Sequence, residues 1–397
     1  MLSPATIAIV KATVPALQAH GETLTRHFYA ILLRDHPEVR PFFNPAHQAS
    51  GAQARALAGA VVAYAQHIDR LEALAGAVPT IVHKHVALGV QPEHYPIVGK
   101  CLLQAIREVL GEAATDEIVQ AWAEAYGALA TILIQAEAQV YEAHAAQPGG
   151  WRGERAFRVA RREAESALIT SFYLEPLDGG ALPVYQPGQY LTVLATIDGA
   201  PCRRNYSLSD APGKPWLRIS VKREAGGRFS NWLHDRAEVG TELSLMAPCG
   251  DFVLDGGQEP LVLVTGGVGL TPAMAMLEAA VPTGRPVHFL HAARDGAVHA
   301  FRARVDALAA AHPNLQARYV YDAPQPGDAP HATGLMTEHL LADWLPATRN
   351  VQLYCLGPVP FMQAVLRHAR RLGVAAERLH VEFFGPKQAL ATEDAAA

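Results

Sequence analysis

Apolar residues return every three or four positions along the first part of the chain, and beyond it they alternate or gather into short blocks. The helical period is carried by "SPATIAIVKATVPALQAH", "GETLTRHFYAILLRDHP" and "DEIVQAWAEAYGALATILIQAEAQVYEAH". Ser3 followed by Pro4 is a helix start, because a serine hydroxyl caps free backbone N–H groups and proline loses nothing in the first turn. In the third segment Trp122, Tyr126, Leu129 and Leu133 fall on one stripe, the face such a helix buries. An all-helical first domain over residues 1–145 is predicted.

The pattern changes at "AHAAQPGGWRGERAF", where Pro148, Gly149 and Gly150 punctuate the chain. Strand-like runs follow in "ALITSFYLEP", "QYLTVLATI", "RNYSLSD" and "WLRISVKRE", separated by the turns "LDGGA", "QPGQ", "IDGAP" and "APGKP". They predict a compact β domain over residues 150–255. From there "EPLVLVTGGVGLTPAMAMLEAA" reads as buried strand, glycine turn and helix, and "RPVHFLHAARD" and "VQLYCLGPVPFMQAVLRHARRLG" repeat that order. Repeated strand-then-helix order is the signature of a parallel sheet, here over residues 256–397, with the tail "QALATEDAAA" frayed. The fold class expected is therefore multidomain, all-α, then β, then α/β.

Composition narrows this picture. Half of the 397 residues are hydrophobic and the formal charge is −5, which suits globular domains and gives no reason to expect a nucleic-acid partner. The four cysteines, at 101, 202, 249 and 355, are too scattered for an iron–sulfur or disulfide framework. With neither a targeting segment nor a long apolar run, a cytoplasmic chain without a membrane partner is expected.

Several segments carry chemistry. Gly266, Gly267 and Gly269 lie between a strand and a helix with Pro272 in its first turn, an arrangement that lets a phosphate approach backbone N–H groups. Its spacing departs from the standard dinucleotide fingerprint, and a plain structural turn fits equally well. Arg204, Tyr206 and Ser207 could hold a phosphate and stack on a planar ring, or simply line an exposed strand. Ser230 and Asn231 follow another glycine turn. In the helical half, Gln53 and Leu57 share a helix face, Tyr29 can bring a hydroxyl to a cavity, and Phe42 or Phe43 can wall it. His83, His85 and His94 crowd one stretch; a lone histidine in a helix is more often a polar or surface residue than a ligand, the reading expected for His83 and His94, although His85 could reach a haem iron.

The succession "GQY", "RNYS", "GGRFSNWL", "GGVGLTP", "YCLGPVPFM" and "EFFGP" resembles the ferredoxin-NADP reductase family over roughly residues 150–390. The helical half resembles a bacterial globin, and the whole chain resembles the flavohaemoglobins, a family of nitric oxide dioxygenases. That resemblance implies an antiparallel β-barrel binding FAD and an α/β domain binding NAD(P)H behind a domain holding haem b. It implies His85 as the proximal iron ligand, with Tyr95 and Glu137 as the network that orients it. Tyr29 and Gln53 would be the distal polar pair, Phe43 and Leu57 the haem-packing and gating residues, and Lys84 a neighbour on the electron route. Tyr190, Arg204, Asn205, Tyr206, Ser207 and Ser230 would bind the flavin. Gly267, Val268, Gly269, Leu270, Thr271 and Pro272, with Cys355 to Pro358, would line the nicotinamide nucleotide. Phe383, Phe384, Gly385 and Pro386 would close the flavin site. Asn205 stands where many relatives have glutamine, and Leu270 and Ala273 where glutamine and methionine are common; these border the sites without removing the matched residues. The lack of an evident basic cluster for a 2′-phosphate favours NADH over NADPH. The implied reaction oxidises nitric oxide to nitrate with O2, electrons passing from NAD(P)H through FAD to haem in a monomer needing no protein partner. A general flavin-dependent haem or chelate reductase, an oxygen-storing or sensing globin, and a pocket for lipid or another hydrophobic ligand are the other readings.

Overall fold

A computed structural model of the chain describes residues 2–44 and 48–384. The expectations for Gly385, Pro386 and the tail "QALATEDAAA" fall outside them. The described chain forms two compact units, one made of the N-terminal part up to Ala146 with the short stretch Pro201–Arg203, the other of the remaining residues.

The first unit is all-helical: α1 (Pro4–Ala12), α2 (Val14–Asp35), α3 (Ala52–Gln66), α4 (Val78–Leu88), α5 (His94–Leu110) and α6 (Asp116–Ala146). Ser3 caps α1 as its sequence predicts, accepting from Thr6 N at 3.0 Å with Pro4 behind it. The first boundary differs from expectation. The chain breaks at Thr13, and α2 then runs unbroken through Gly21. Pro15 sits in the first turn of α2, where its missing N–H costs nothing, whereas in a continuous helix it would delete a bond. Gly21 is a packing residue: a Cβ there would already touch the Ala58 methyl, 3.4 Å away on α3. Trp122 anchors the break, its indole donating to the Thr13 hydroxyl at 3.2 Å. The predicted stripe on α6 faces the core, with Trp122 and Leu133 buried and Tyr126 and Leu129 packed beside them.

The second unit holds two sheets. Six strands pair in the order β4-β3-β6-β1-β2-β5, built from β1 (Arg155–Ala164), β2 (Ile169–Pro176), β3 (Tyr190–Ile197), β4 (Ala200–Ser207), β5 (Leu217–Lys222) and β6 (Glu242–Leu245). An antiparallel bridge between Leu208 and Ile219 returns β5 to the end of β4 and closes the barrel. The short helix α7 (Arg228–Arg236) caps it. The second sheet is parallel in the order β10-β9-β8-β7-β11-β12, with β7 (Leu261–Gly266), β8 (Val287–Ala293), β9 (Leu315–Tyr321), β10 (Ala332–Thr333), β11 (Gln352–Leu356) and β12 (Leu379–Val381). Its helices are α8 (Leu270–Ala280), α9 (Arg302–Ala311), α10 (Glu338–Trp344) and α11 (Val359–Arg371). The strand order reverses between β7 and β11, the place where open parallel sheets take ligands. One apolar cluster contains both Ile169 and Phe252 of the barrel side and Met274, Met276 and Leu277 of α8, so the two sheets share a core.

A buried polar chain runs beneath the end of β7. Thr265 meets His291 Nδ1 at 2.8 Å, the His291 and His299 rings lie 4.4 Å apart, and His299 Nδ1 meets the Tyr321 hydroxyl at 2.8 Å. Burial pushes the His291 imidazole down to about 3, and burial, His291 and the Arg302 charge push His299 down to about 2. Both are neutral in the fold, while the unfolded chain takes up protons below about 6.5. Their contribution to stability is therefore complete above pH 6.5 and falls as the pH drops toward their folded values. Urea titration monitored by flavin release should show a loss of about 2 kcal/mol per histidine between pH 7.5 and pH 5. A His291→Asn/His299→Gln double variant should flatten that slope, and an equal slope in both proteins would contradict the account.

Candidate haem, flavin and nucleotide sites

His85 lies on α4 one turn before its C-terminal Gly89, whose φ of +83° ends the helix in the left-handed region. Its Nδ1 is 2.7 Å from Glu137 Oε1 on α6 and 3.2 Å from the Tyr95 hydroxyl on α5. Tyr95 donates to the same Glu137 oxygen at 2.5 Å. Glu137 is only 2% exposed, so these two donors supply the hydrogen bonds that water would otherwise give it. The shorter of the two contacts to His85 decides its tautomer: Nδ1 carries the proton for the carboxylate, and Nε2 is left with a lone pair, the form that ligates iron. Burial, with Glu137 reinforcing it, pushes the Tyr95 hydroxyl far above its usual range, so it stays a donor.

Two further tyrosines hold this triad. Tyr126 donates to Tyr95 O at 2.7 Å, and a Cβ on Gly99 would collide with its ring at 2.6 Å. Tyr141, one turn beyond Glu137 on α6, donates to Val90 O at 2.8 Å. Neither was singled out for this role from the sequence, although the four-residue spacing of Glu137 and Tyr141 places them on one face. His83 and His94 do not match the surface expectation, both being half-buried. His94 Nδ1 accepts from Gln91 N at 2.9 Å and its ring meets Phe42 edge-on, so it serves to start α5. Among the described residues no group of three or more His, Cys, Asp or Glu could hold a metal ion.

The other polar pair also comes together. Tyr29 is buried on α2, which raises its hydroxyl well above the usual range, and the Gln53 side chain on α3 opposes that rise. Gln48, a residue the sequence did not mark, donates to Gln53 Oε1 at 2.8 Å. The Phe43 ring stands edge-on to Tyr29 at 5.6 Å, and Leu57 packs against the same cluster. Lys84 is half-exposed beside His85.

In the barrel, Tyr190 opens β3 and Arg204, Asn205, Tyr206 and Ser207 end β4. The buried Tyr190 hydroxyl has no protein partner, which is how a residue awaiting a ligand's polar group looks. Asn205 is exposed and accepts from the Thr192 hydroxyl at 2.9 Å. Tyr206 leans on Phe229 of α7, its hydroxyl raised by burial and opposed by the Arg204 charge. Ser230, buried at the start of α7, makes only long contacts of 3.3 Å to Gly227 O and Glu224 N.

The glycine turn after β7 has two distinct parts. Gly267 has φ +54° with open space where a Cβ would be, so a ligand can reach its backbone. At Gly269 a Cβ would lie 2.5 Å from Leu356 O of β11, so this glycine allows the strand-to-helix approach. Leu270, Thr271 and Pro272 are buried in the first turn of α8 and Val268 packs against the core, which leaves mainly backbone for a ligand. At the chain's far end Phe383 is turned into the apolar cluster under β11, whereas Phe384 is 52% exposed.

The comparisons with known proteins follow the same division. A globin model matches residues 26–133, an oxidoreductase FAD-binding model residues 160–254, and an oxidoreductase NAD-binding model residues 263–367. These define a globin joined to a flavin- and nicotinamide-dependent oxidoreductase. Flavohemoproteins of Pseudomonas aeruginosa and Deinococcus radiodurans are 56% and 52% identical, with 98% of this chain covered in both and 100% and 99% of the relatives. The chain belongs to the flavohemoprotein family. A crystal structure of flavohemoglobin from Malassezia yamatoensis with bound FAD and heme is similar at TM-score 0.85 and 28% identity, covering 97% of this chain and 100% of that one. The FAD/NAD-binding domain of a nitric oxide dioxygenase from Vibrio cholerae is similar at TM-score 0.55 and 36% identity, covering 58% of this chain and 99% of that one.

The buried triad yields a stability prediction. Tyr95→Phe takes one of two donors from a buried carboxylate and should cost about 1.5–3 kcal/mol in denaturant unfolding of the haem-loaded chain followed by the haem band. An unchanged midpoint would mean that His85 alone satisfies Glu137.

Proposed function

We infer that the chain is a nitric oxide dioxygenase, converting 2 NO, 2 O2 and NAD(P)H to 2 nitrate, NAD(P)+ and a proton. The observation that carries this reading is the presence in one chain of a globin unit with its His85–Glu137–Tyr95 triad and a flavin–nicotinamide unit. Haem supplies a one-electron centre for diatomic gases, and FAD converts a two-electron hydride into single electrons.

The residues around these groups have defined tasks. His85 would hold the iron through Nε2, while Glu137 accepts the proton at Nδ1 and makes the imidazole a stronger electron donor. Tyr29 would donate its hydroxyl proton into the haem pocket, with Gln53 assisting it and Phe43 and Leu57 excluding water. Lys84 is assigned to electron entry. Tyr190, Arg204, Tyr206 and Ser207 would hold the flavin, with Asn205 at the edge of that site and Ser230 near the diphosphate. The backbone of Gly267 to Pro272 would take the nicotinamide nucleotide, and Phe384 would stand over the flavin ring. Residues 1–145, 150–255 and 256–397 are taken as the three domains.

NADH is taken as the preferred donor, and the working form as a cytoplasmic monomer. Among the described residues no helix is long and apolar enough to cross a membrane.

The test is nitric oxide consumption by the haem- and FAD-loaded protein with NADH and O2, with nitrate as the product measured. His85→Ala should lower the rate roughly 100-fold or more while NADH-driven reduction of ferric chelates persists. Equal nitric oxide consumption by both proteins would favour a general reductase instead.

A further inference from the structure

Four charged side chains meet inside the second unit, two from the barrel side and two from the parallel-sheet side. Arg218 on β5 and Asp210 just after β4 face Glu278 on α8 and Arg304 on α9. Going round, Arg218 Nη1 is 3.9 Å from Asp210 Oδ2, and Asp210 Oδ1 is 3.7 Å from Arg304 Nη2. Arg304 Nε is 2.5 Å from Glu278 Oε1, and Glu278 Oε1 is 3.6 Å from Arg218 Nη2. The signs alternate around a closed ring of two cations and two anions, and two of its sides cross from one sheet's domain to the other's.

Arg218, Asp210 and Glu278 are buried, whereas Arg304 closes the ring from an exposed corner. Arg218 is 0% exposed, lies 5.0 Å over the Phe301 ring and donates to Ser209. Asp210 accepts from the Trp216 indole at 3.1 Å, and the Ala211 amide contacts both Asp210 Oδ1 at 3.1 Å and Glu278 Oε2 at 3.4 Å. Burial, together with the adjoining Asp210, pushes the Glu278 carboxyl up. Desolvating the three buried charges consumes most of what the attraction returns, so such a cluster contributes little net stability compared with apolar packing. What it does impose is geometry, since each charge has one place to sit.

That geometry joins the two segments that carry the cofactor sites. Asp210 follows Ser207 by three residues, at the end of the strand assigned to flavin. Glu278 is on the helix that starts at the glycine turn, roughly 12 Å along its axis from Leu270. We propose that the Asp210–Arg218–Glu278–Arg304 ring is the positioning device that sets the nicotinamide nucleotide's helix against the flavin's strand for hydride transfer. None of the four is a catalytic residue. A hydride moves only between atoms in close register, and a displacement of about 1 Å costs on the order of 100-fold in rate. Ring variants therefore lose rate at saturating nucleotide and keep their binding. The shared apolar core around Ile169, Phe252 and Met276 keeps the domains together when the ring is broken.

This rests on the flavin and nucleotide assignments made above. The experiment is anaerobic rapid mixing of the holoenzyme with NADH, following flavin bleaching; the saturation curve separates Kd from the limiting rate. Arg304→Met, at the half-exposed corner, and Asp210→Asn should each lower the limiting rate about 10-fold or more. NADH Kd and FAD content should stay within about twofold of the unmodified protein, and Arg304→Lys should restore most of the rate. Should Asp210→Asn fail to fold, Arg304→Met and its lysine counterpart decide the matter alone. A limiting rate unchanged in Arg304→Met, a loss confined to Kd, or a loss that tracks FAD content would overturn the proposal. A Ser207→Ala/Arg204→Ala variant that keeps its full FAD would instead overturn the flavin assignment, whatever the ring variants do.

Discussion

A carboxyl group buried to 2% exposure cannot be left without donors, and that constraint on Glu137 organises the helical unit. Its two donors come from two other helices, His85 from α4 and Tyr95 from α5, so three helices are held in one register. Tyr126 and Tyr141 then bind the backbone on either side, at Tyr95 and Val90. The same bonds that satisfy Glu137 choose the His85 tautomer and leave Nε2 with the lone pair that the proposed function assigns to iron. Structure and chemistry here are one requirement, since removing a donor from the buried carboxylate would both destabilise the fold and release the ring.

The second unit obeys a parallel logic with different materials. Its parallel sheet places the glycine turn where the strand order reverses, and in its barrel Tyr190 begins β3 and Arg204 to Ser207 end β4, the positions proposed for the flavin. Apolar packing around α8 joins the two without specifying their register to a fraction of an ångström. Polar groups add to that specification, because hydrogen bonds weaken steeply when misaligned and alternating charges favour one pairing. In both units a few buried polar side chains set distances inside a larger apolar core.

Much of this was legible in the sequence. The helical period, the strand-like runs and the strand–glycine–helix order gave the architecture, and Ser3 and Pro4 gave the first cap. The break at Thr13 was missed because Gly21 looks like the weaker point, yet glycine there serves helix packing while Pro15 forces the restart. Strand β1 was missed because its arginines mask the alternation of Phe157 and Val159 toward the core. The resemblance supplied Glu137, which sits among Gln135 and Gln139 and by pattern belongs at the surface. The charge ring was not legible at all: Arg218 occupies a strand buried on both faces, and its partners are brought to it by tertiary structure alone. A signal existed in "AMAMLEAA", where Glu278 is the single charge in an otherwise apolar helix. Such a residue asks for a buried partner but does not name one.

The central claim is that Glu137 makes the His85 imidazole a stronger donor toward iron. Resonance Raman spectroscopy of the dithionite-reduced, haem-loaded protein reads this directly as the iron–histidine stretching frequency, since a more anionic imidazole binds with a stiffer bond. Replacing Glu137 by glutamine keeps the side chain's shape and removes its negative charge. The frequency should fall clearly in Glu137→Gln relative to the unmodified protein; an identical frequency in the two would contradict the claim.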